Sequence, residues 1–320
     1  MEEINYLVAL KYPGKLIIVH LDSLEVRVER SPCPSTSFYT PVSYRHIFFA
    51  WKNRAILYDH LKAKIEIEYP PIPKTLPSMM PICYEDKIWL FSGEDIAYVI
   101  DMKTPSGWEM ESTGFRTISK NYCFLKPNSL AVIKSSLLSD TFGCRFGGLQ
   151  KDVNLTVLKL DGLSHTQHNI SLPFLGPFGC VSVNDRTIMI FGGYDVIEDS
   201  SFKLLSENLK IVLLNYERNT YEQVGSLPYK LDEPCIFQPP LLYKNCVYSI
   251  SSWQLVRIEI STNEASIFSL RELSKKVAFN FLWIYKQCTL GKATGSLMLD
   301  KLPLSIIRAI VADYYLPILT

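Results

Sequence analysis

The amino-acid sequence predicts an all-β chain closed into a ring of six blades, a β-propeller, with a short C-terminal α-helix. Three observations predict it. A hairpin unit recurs six times at the spacing of a four-stranded blade. Several runs within the units are apolar nearly throughout, the pattern of strands covered on both faces. The first unit is one strand short, and a strand-like run with no hairpin partner of its own follows the last.

The hairpins are read at 15–22 with 24–29, 54–59 with 64–69, 96–101 with 108–111, 154–161 with 165–170, 209–215 with 221–224, and 255–261 with 265–268. Each is an apolar run ending in a small polar residue, a short turn and a second alternating run. Their turns are anchored at positions 22, 59, 101, 161, 215 and 261, so successive units lie 37, 42, 60, 54 and 46 residues apart, close to the ~40–50 residues of four-stranded blades. From the second unit onward another pair of short apolar runs precedes each hairpin, with turns at Glu85-Asp86, Asn184-Asp185 and Lys244-Asn245. Asn and Asp suit such turns because they tolerate left-handed backbone angles and hydrogen-bond locally. The runs 47–51, 87–91 and 188–191 are the doubly covered strands. In the first unit three strands are visible, at 4–10, from Lys15 and from Leu24. The run 277–285 is expected to complete that blade, so that neither end of the ring leaves an unpaired edge. The propeller then spans 1–285 and a tail spans 286–320.

In the fifth unit Phe191-Gly192-Gly193-Tyr194-Asp195 ends one strand with a double glycine, repeated in the fourth unit as Phe146-Gly147-Gly148. Paired glycines suit a chain that must bend close to a neighbouring strand, where a Cβ would clash. Trp108 in the third unit and Tyr221 in the fifth are the aromatic residues that follow the outer turn, and Leu227-Pro228 closes the fifth unit. These features resemble the kelch repeat family, although units one, two and six lack the double glycine. The resemblance implies a divergent kelch-like propeller acting as a non-enzymatic protein–protein interaction platform, a scaffold or substrate-recognition adaptor, with no cofactor.

Two irregular segments are candidate partner-binding surfaces. From Leu302 onward, Ile306, Ile307, Ile310, Val311 and Tyr314 recur at helical spacing, and Pro303 stands in a favoured first-turn position. This predicts an amphipathic helix over about 302–316. Its apolar face either packs on the ring or enters a groove on a partner through Ile306, Ile310 and Tyr314. Its Leu-Pro start followed by isoleucines resembles the opening of an F-box or the end of a SOCS box, which implies a ubiquitin-ligase component as a partner. Insertions are read at 134–141 and 196–207; the second, with Asp195, Glu198, Asp199 and Phe202, is a candidate acidic recognition loop.

Thirty-three basic residues balance 32 acidic ones for a net charge of +1, so no whole-molecule field draws the chain to phosphate backbones or anionic lipid. No nucleic-acid or membrane partner is expected. The N-terminus has no basic region leading into a long apolar run, and eight cysteines show no Cys-x-x-Cys pair. A cytoplasmic protein with free thiols is the expectation. His165 and His168 are the close histidine pair, but a metal site needs three or more convergent ligands, and no metal or cofactor residue is assigned. Phosphate-cradling glycine loops and the Gly-x-Ser-x-Gly elbow are absent, so no catalytic residue is assigned and the chain is read as no enzyme. The alternative is a propeller-fold enzyme with a central-pocket active site. Three or more arginines, or convergent His, Tyr and Cys, lining the channel would favour it; an apolar wall with an exposed aromatic patch would favour binding.

Overall fold

The computed structural model describes residues 4–74, 79–92, 95–114, 121–125, 129–134, 152–172, 178–198, 203–231 and 239–274. Blade one holds β1 (Tyr6–Lys11), β2 (Lys15–His20) and β3 (Glu25–Arg30), and blade two β4 (Phe38–Pro41), β5 (His46–Trp51), β6 (Arg54–Asp59) and β7 (Lys64–Glu68). Blade three is β8 (Met80–Tyr84), β9 (Lys87–Phe91), β10 (Ile96–Asp101) and β11 (Glu109–Ser112). Blade four is β12 (Asn121–Leu125), β13 (Ser129–Lys134), β14 (Asp152–Lys159) and β15 (His165–Ser171). In blade five, β16 (Gly179–Asn184) and β17 (Thr187–Phe191) are followed by a separate hairpin of β18 (Tyr194–Glu198) and β19 (Lys203–Glu207), then by β20 (Lys210–Asn215) and β21 (Thr220–Ser226). Blade six is β22 (Leu241–Tyr243), β23 (Cys246–Ser251), β24 (Gln254–Glu259) and β25 (Ala265–Ser269). A helical turn at 270–274, α1, follows; the helix expected at about 302–316 lies outside the described residues.

Six apolar clusters hold the ring, one in each seam between neighbouring blades. Because side chains alternate across a strand, each middle strand serves two seams. Tyr6, Val8, Leu16 and Ile18 of blade one meet Ile47 and Phe49 of blade two, whereas Leu7, Ala9, Ile17 and Val19 meet Tyr248 and Ile250 of blade six. Phe48 and Phe49 are both fully buried, on opposite faces of β5. A strand packed on both sides has no solvent face, which is why its sequence is apolar throughout rather than alternating.

The six outer hairpin turns fall at the expected anchors. The inner turns at Glu85-Asp86 and Lys244-Asn245 have both central residues at positive φ (49° and 60°; 52° and 74°), the geometry that matches strand twist in a two-residue hairpin. The third inner turn is corrected by one residue. Asn184 pairs with Thr187 around Asp185-Arg186 after a register irregularity, since the Asn184 side chain accepts the Arg186 N–H at 3.0 Å. The expected loop at 196–207 is corrected as well: most of it is the β18–β19 ladder, in register from Tyr194 opposite Glu207 to Glu198 opposite Lys203. The insertion at 134–141 lies beyond β13, outside the described residues apart from Lys134.

Blade one shows three described strands, and β1 packs level with β5 and β23, the second strands of its neighbours. Its described strands are therefore the second, third and fourth of a blade, and no described strand fills its innermost place. The expected closing run, 277–285, lies outside the described residues. It would follow Ser269 after seven residues, the connection length observed at 31–37 and 172–178.

Two outcomes follow. Replacing Phe49 with Ala is expected to cost about 3–5 kcal/mol, read as a lowered urea midpoint with an unchanged slope. A chain ending at Ser274 is expected to lose its cooperative unfolding transition; a shortened chain that melts as sharply as the whole would refute closure by 277–285.

Candidate functional site

The innermost strands and their turns enclose a central cavity of about 640 Å³. Its wall is built by strand-entry residues such as Val42, Pro81, Ile82, Val181, Pro240 and Leu242. Asn184, Asp185, Lys244 and Asn245 ring one mouth, where turns place them. Among the described lining residues there is no arginine and no histidine.

Two cysteines face this channel and a third stands behind it. Burial pushes the Cys83 thiol up to about 11. Hydrogen bonding with Cys123 and then burial push the Cys180 thiol well up. Cys83 and Cys180 therefore stay protonated at neutral pH, and a protonated thiol is a poor nucleophile.

Around that mouth the polar groups are engaged in joining blades. Asp22, in the outer turn of blade one, accepts the Tyr243 hydroxyl at 2.8 Å and pairs with Lys244, both from blade six. These donors hold its carboxyl down at about 2. Tyr84 of blade three donates to Asp161 of blade four in the same way, at 2.8 Å. Tyr6 shares its hydroxyl proton between the Ser43 and His46 carbonyls of blade two, at 2.9 and 2.8 Å.

Among the described residues one group could offer three metal ligands: His46, Asp59 and Glu66. The Arg45 guanidinium lies 2.6 Å from Asp59 and 3.8 Å from Glu66, so a cation already stands between the carboxylates. His165 and His168 do not converge. They are three apart on β15 and face opposite ways, with His168 against the Tyr216 ring at 5.6 Å.

The expected site residues separate. Asp195 pairs with Lys210 at 3.0 Å at the root of the inserted hairpin, and Glu198 ends β18. Asp199, Phe202, Ile306, Ile310 and Tyr314 lie outside the described residues, as do Gly147 and Gly148. Gly192 and Gly193 have φ of 77° and 81°, a conformation costly for other residues, and Asn208 clamps this bend through Gly192 O at 2.8 Å. Trp108 sits in the seam of blades two and three, donating to Pro70 O at 2.8 Å beside Tyr69. Tyr221 differs, since it is 47% exposed on outer strand β21.

The sequence reading missed two surfaces. On blade two, Tyr44, Leu61 and Ile65 are exposed, at 40%, 50% and 42%, the first two at a corner where the inner and outer turns meet through His60 N and Arg45 O at 3.0 Å, the third on β7. Alternation along Lys64–Glu68 would set Ile65 and Ile67 on one face. A register slip instead places Ile65 opposite Tyr58 and Ile67 opposite Leu57, which belong to different seams. The second surface is a groove of about 780 Å³ between blades one and two, walled in part by Pro13, Arg30, Trp51 and Arg54.

No family model matches the chain, and no curated protein matches it. Among solved structures, the one described as "Structure of YjhT" aligns over 84% of this chain and 98% of that one, at 9% identity and a TM-score of 0.51. At that identity the likeness shows the fold alone, a six-bladed propeller. No helix among the described residues is long and apolar enough to cross a membrane.

His60 generates a pH prediction. It is fully buried, 4.4 Å from the Tyr6 ring and 5.9 Å from the His20 ring, with Nε2 at 3.1 Å from Tyr44 O. Burial lowers its pKa to about 4. The unfolded chain takes up this proton near pH 6.5 and the folded chain only near 4, so stability is present above 6.5 and is lost as pH falls through that window. The expected loss is on the order of 2 kcal/mol after discounting for solvent screening. Denaturant midpoints at pH 7.5 and 4.5 should diverge for the natural chain and diverge less for His60→Gln, the remainder including His20, whose pKa burial also lowers; equal divergence in both would exclude His60 as the cause.

Proposed function

We propose that the chain is a divergent kelch-type propeller that binds a protein partner on its outer surface and catalyses no reaction. The carrying observation is that blade two leaves three large apolar side chains exposed, Tyr44, Leu61 and Ile65, the first two at the corner where its inner and outer turns meet. Exposed apolar side chains mark a partner-binding surface where they join into one patch. The corner is also held in place. Asp59 accepts the Leu61 and Lys62 N–H groups at 3.0 and 3.1 Å and pairs with Arg45, fastening the outer turn to the inner one. A preorganised patch loses little conformational entropy on binding.

The channel supports the same reading, since its described wall is largely aliphatic and proline-rich. The left-handed Gly192-Gly193 bend and the seam position of Trp108 support the kelch resemblance. A reducing cytoplasmic setting suits the free thiols of Cys33, Cys83, Cys123, Cys180 and Cys246. A scaffold or adaptor role, including service to a ubiquitin ligase, would add the terminal segment as a second contact.

Quantitative affinity purification tests this with three baits: the full chain, a chain ending at Asp300, and Leu61→Asp combined with Ile65→Asp. Partners specific to the full chain are expected to fall at least fivefold with the double variant, whose melting should be unchanged because both positions are exposed. Partners lost only from the shortened chain would move recognition to the tail, and an unchanged set across all three would remove recognition from both surfaces.

A further inference from the structure

We infer that the groove between blades one and two binds an acidic peptide segment of a partner protein, an assignment that rests on the reading of the propeller as a binding platform. The β1–β2 turn supplies one wall through Pro13 and Gly14, and the start of the 31–37 connection supplies the floor. Trp51 and Arg54, at the β5–β6 turn, supply the opposite wall. At about 780 Å³ it falls within the ~300–1,000 Å³ of ligand-binding clefts.

Its described lining is one-sided in charge. Lys15, Arg30 and Arg54 stand there against one acid, Glu29. That carboxylate is engaged elsewhere, accepting the Tyr58 hydroxyl at 2.9 Å and lying 2.7 Å from Arg27. Arg54 meets Glu68 only at 4.0 Å, with both side chains more than 60% exposed, and such pairs contribute little. Its guanidinium stands over the Trp51 ring, 5.4 Å from the centroid. Stacking leaves the planar fork aligned for a carboxylate while the indole offers apolar surface beside it. Pro32 and Pro34 extend that surface.

The floor is braced. Ser31 N donates to Gly14 O at 2.8 Å, and Ser31 Oγ donates to Cys33 O at 2.7 Å. Carboxylates beside small apolar groups match these walls. A nucleic-acid backbone would need a longer run of cations than three in one recess.

The test is fluorescence anisotropy on the full chain with a fluorescein-labelled octapeptide of alternating Glu and Leu, its Lys-Leu counterpart, and an eight-nucleotide oligothymidylate as competitor. The acidic peptide is expected to bind and the basic one not. Arg30→Glu with Arg54→Glu is expected to weaken binding at least tenfold, and Trp51→Ala at least threefold. If charge reversal disturbs folding, Arg30→Gln with Arg54→Gln should still weaken binding at least threefold. Retention of affinity within twofold in the folded variants would overturn the assignment, as would equal binding of the two peptides. Displacement by the oligothymidylate at equal concentration would assign the groove to nucleic acid instead. The Leu61→Asp, Ile65→Asp bait separates the two readings: partner loss there with no acidic-peptide binding sinks the groove and keeps the platform.

Discussion

Everything in this molecule depends on the seam where the last blade meets the first. A propeller blade cannot bury its own two faces; it is stable only between neighbours, so a ring with one open seam exposes two sheets at once. Here Leu7, Ala9, Ile17 and Val19 of blade one lie against Tyr248, Ile250 and Leu255 of blade six. Above them Asp22 accepts from Tyr243 across 221 residues of sequence. The same seam holds the Cys246 sulfur between Arg257 at 3.3 Å and Glu259 at 3.2 Å, so its polar margin is satisfied as its apolar centre is filled. Bringing the ends together has a loop-closure cost that grows only slowly with chain length. An apolar seam of this size far outweighs it.

The same constraint explains what could be seen beforehand. Strands buried on both faces must be apolar throughout, and turns between them must fall at regular spacing, so the blades, their anchors and the short first unit were legible in residues such as Phe48, Phe49 and Asp22. What depends on a single inserted residue was not. The slip that separates Ile65 from Ile67 leaves their sequence alternation intact, so the exposed corner of blade two carries no signal in the pattern. The hairpin from Tyr194 to Glu207 was hidden for the opposite reason. Its charged and apolar residues suggested a solvated loop, and only the backbone ladder reveals a pair of strands. The partner of Asp195 comes from β20 and that of Asp59 from the β4–β5 turn, pairings set by strand register and not by any repeat in the sequence.

Charge is distributed accordingly. On the face that carries the inner and outer hairpin turns, carboxylates fasten turns to one another: Asp22 to Lys244, Asp59 to Arg45, Asp86 to Lys103. The tyrosines Tyr84 and Tyr243 reach from an inner turn of one blade to an outer turn of the next. Asp22 and Asp59, surrounded in this way, are held ionised and directed, as suits a brace. The near-neutral whole of 33 basic and 32 acidic residues thus conceals local imbalance. Asp22, Asp59 and Asp86 are engaged in bracing, while Arg30 and Arg54 line a groove.

That groove and the exposed apolar residues share blade two but lie at opposite ends of its strands, the groove beside the β1–β2 and β5–β6 turns and Leu61 in the β6–β7 turn. The groove spans the seam of blades one and two, with Pro13 and Arg30 on one side and Trp51 and Arg54 on the other. A ligand seated across a seam touches both blades only when they are packed, so its binding energy adds to that of the ring. By mass action, a ligand at a hundredfold excess over its dissociation constant stabilises the closed ring by about 2.7 kcal/mol. That is comparable to the burial of one core side chain such as Phe49. On the proposed reading of the groove, a bound peptide would draw on the packing of blades one and two that apolar contacts such as Tyr6, Ile18 and Phe49 already supply.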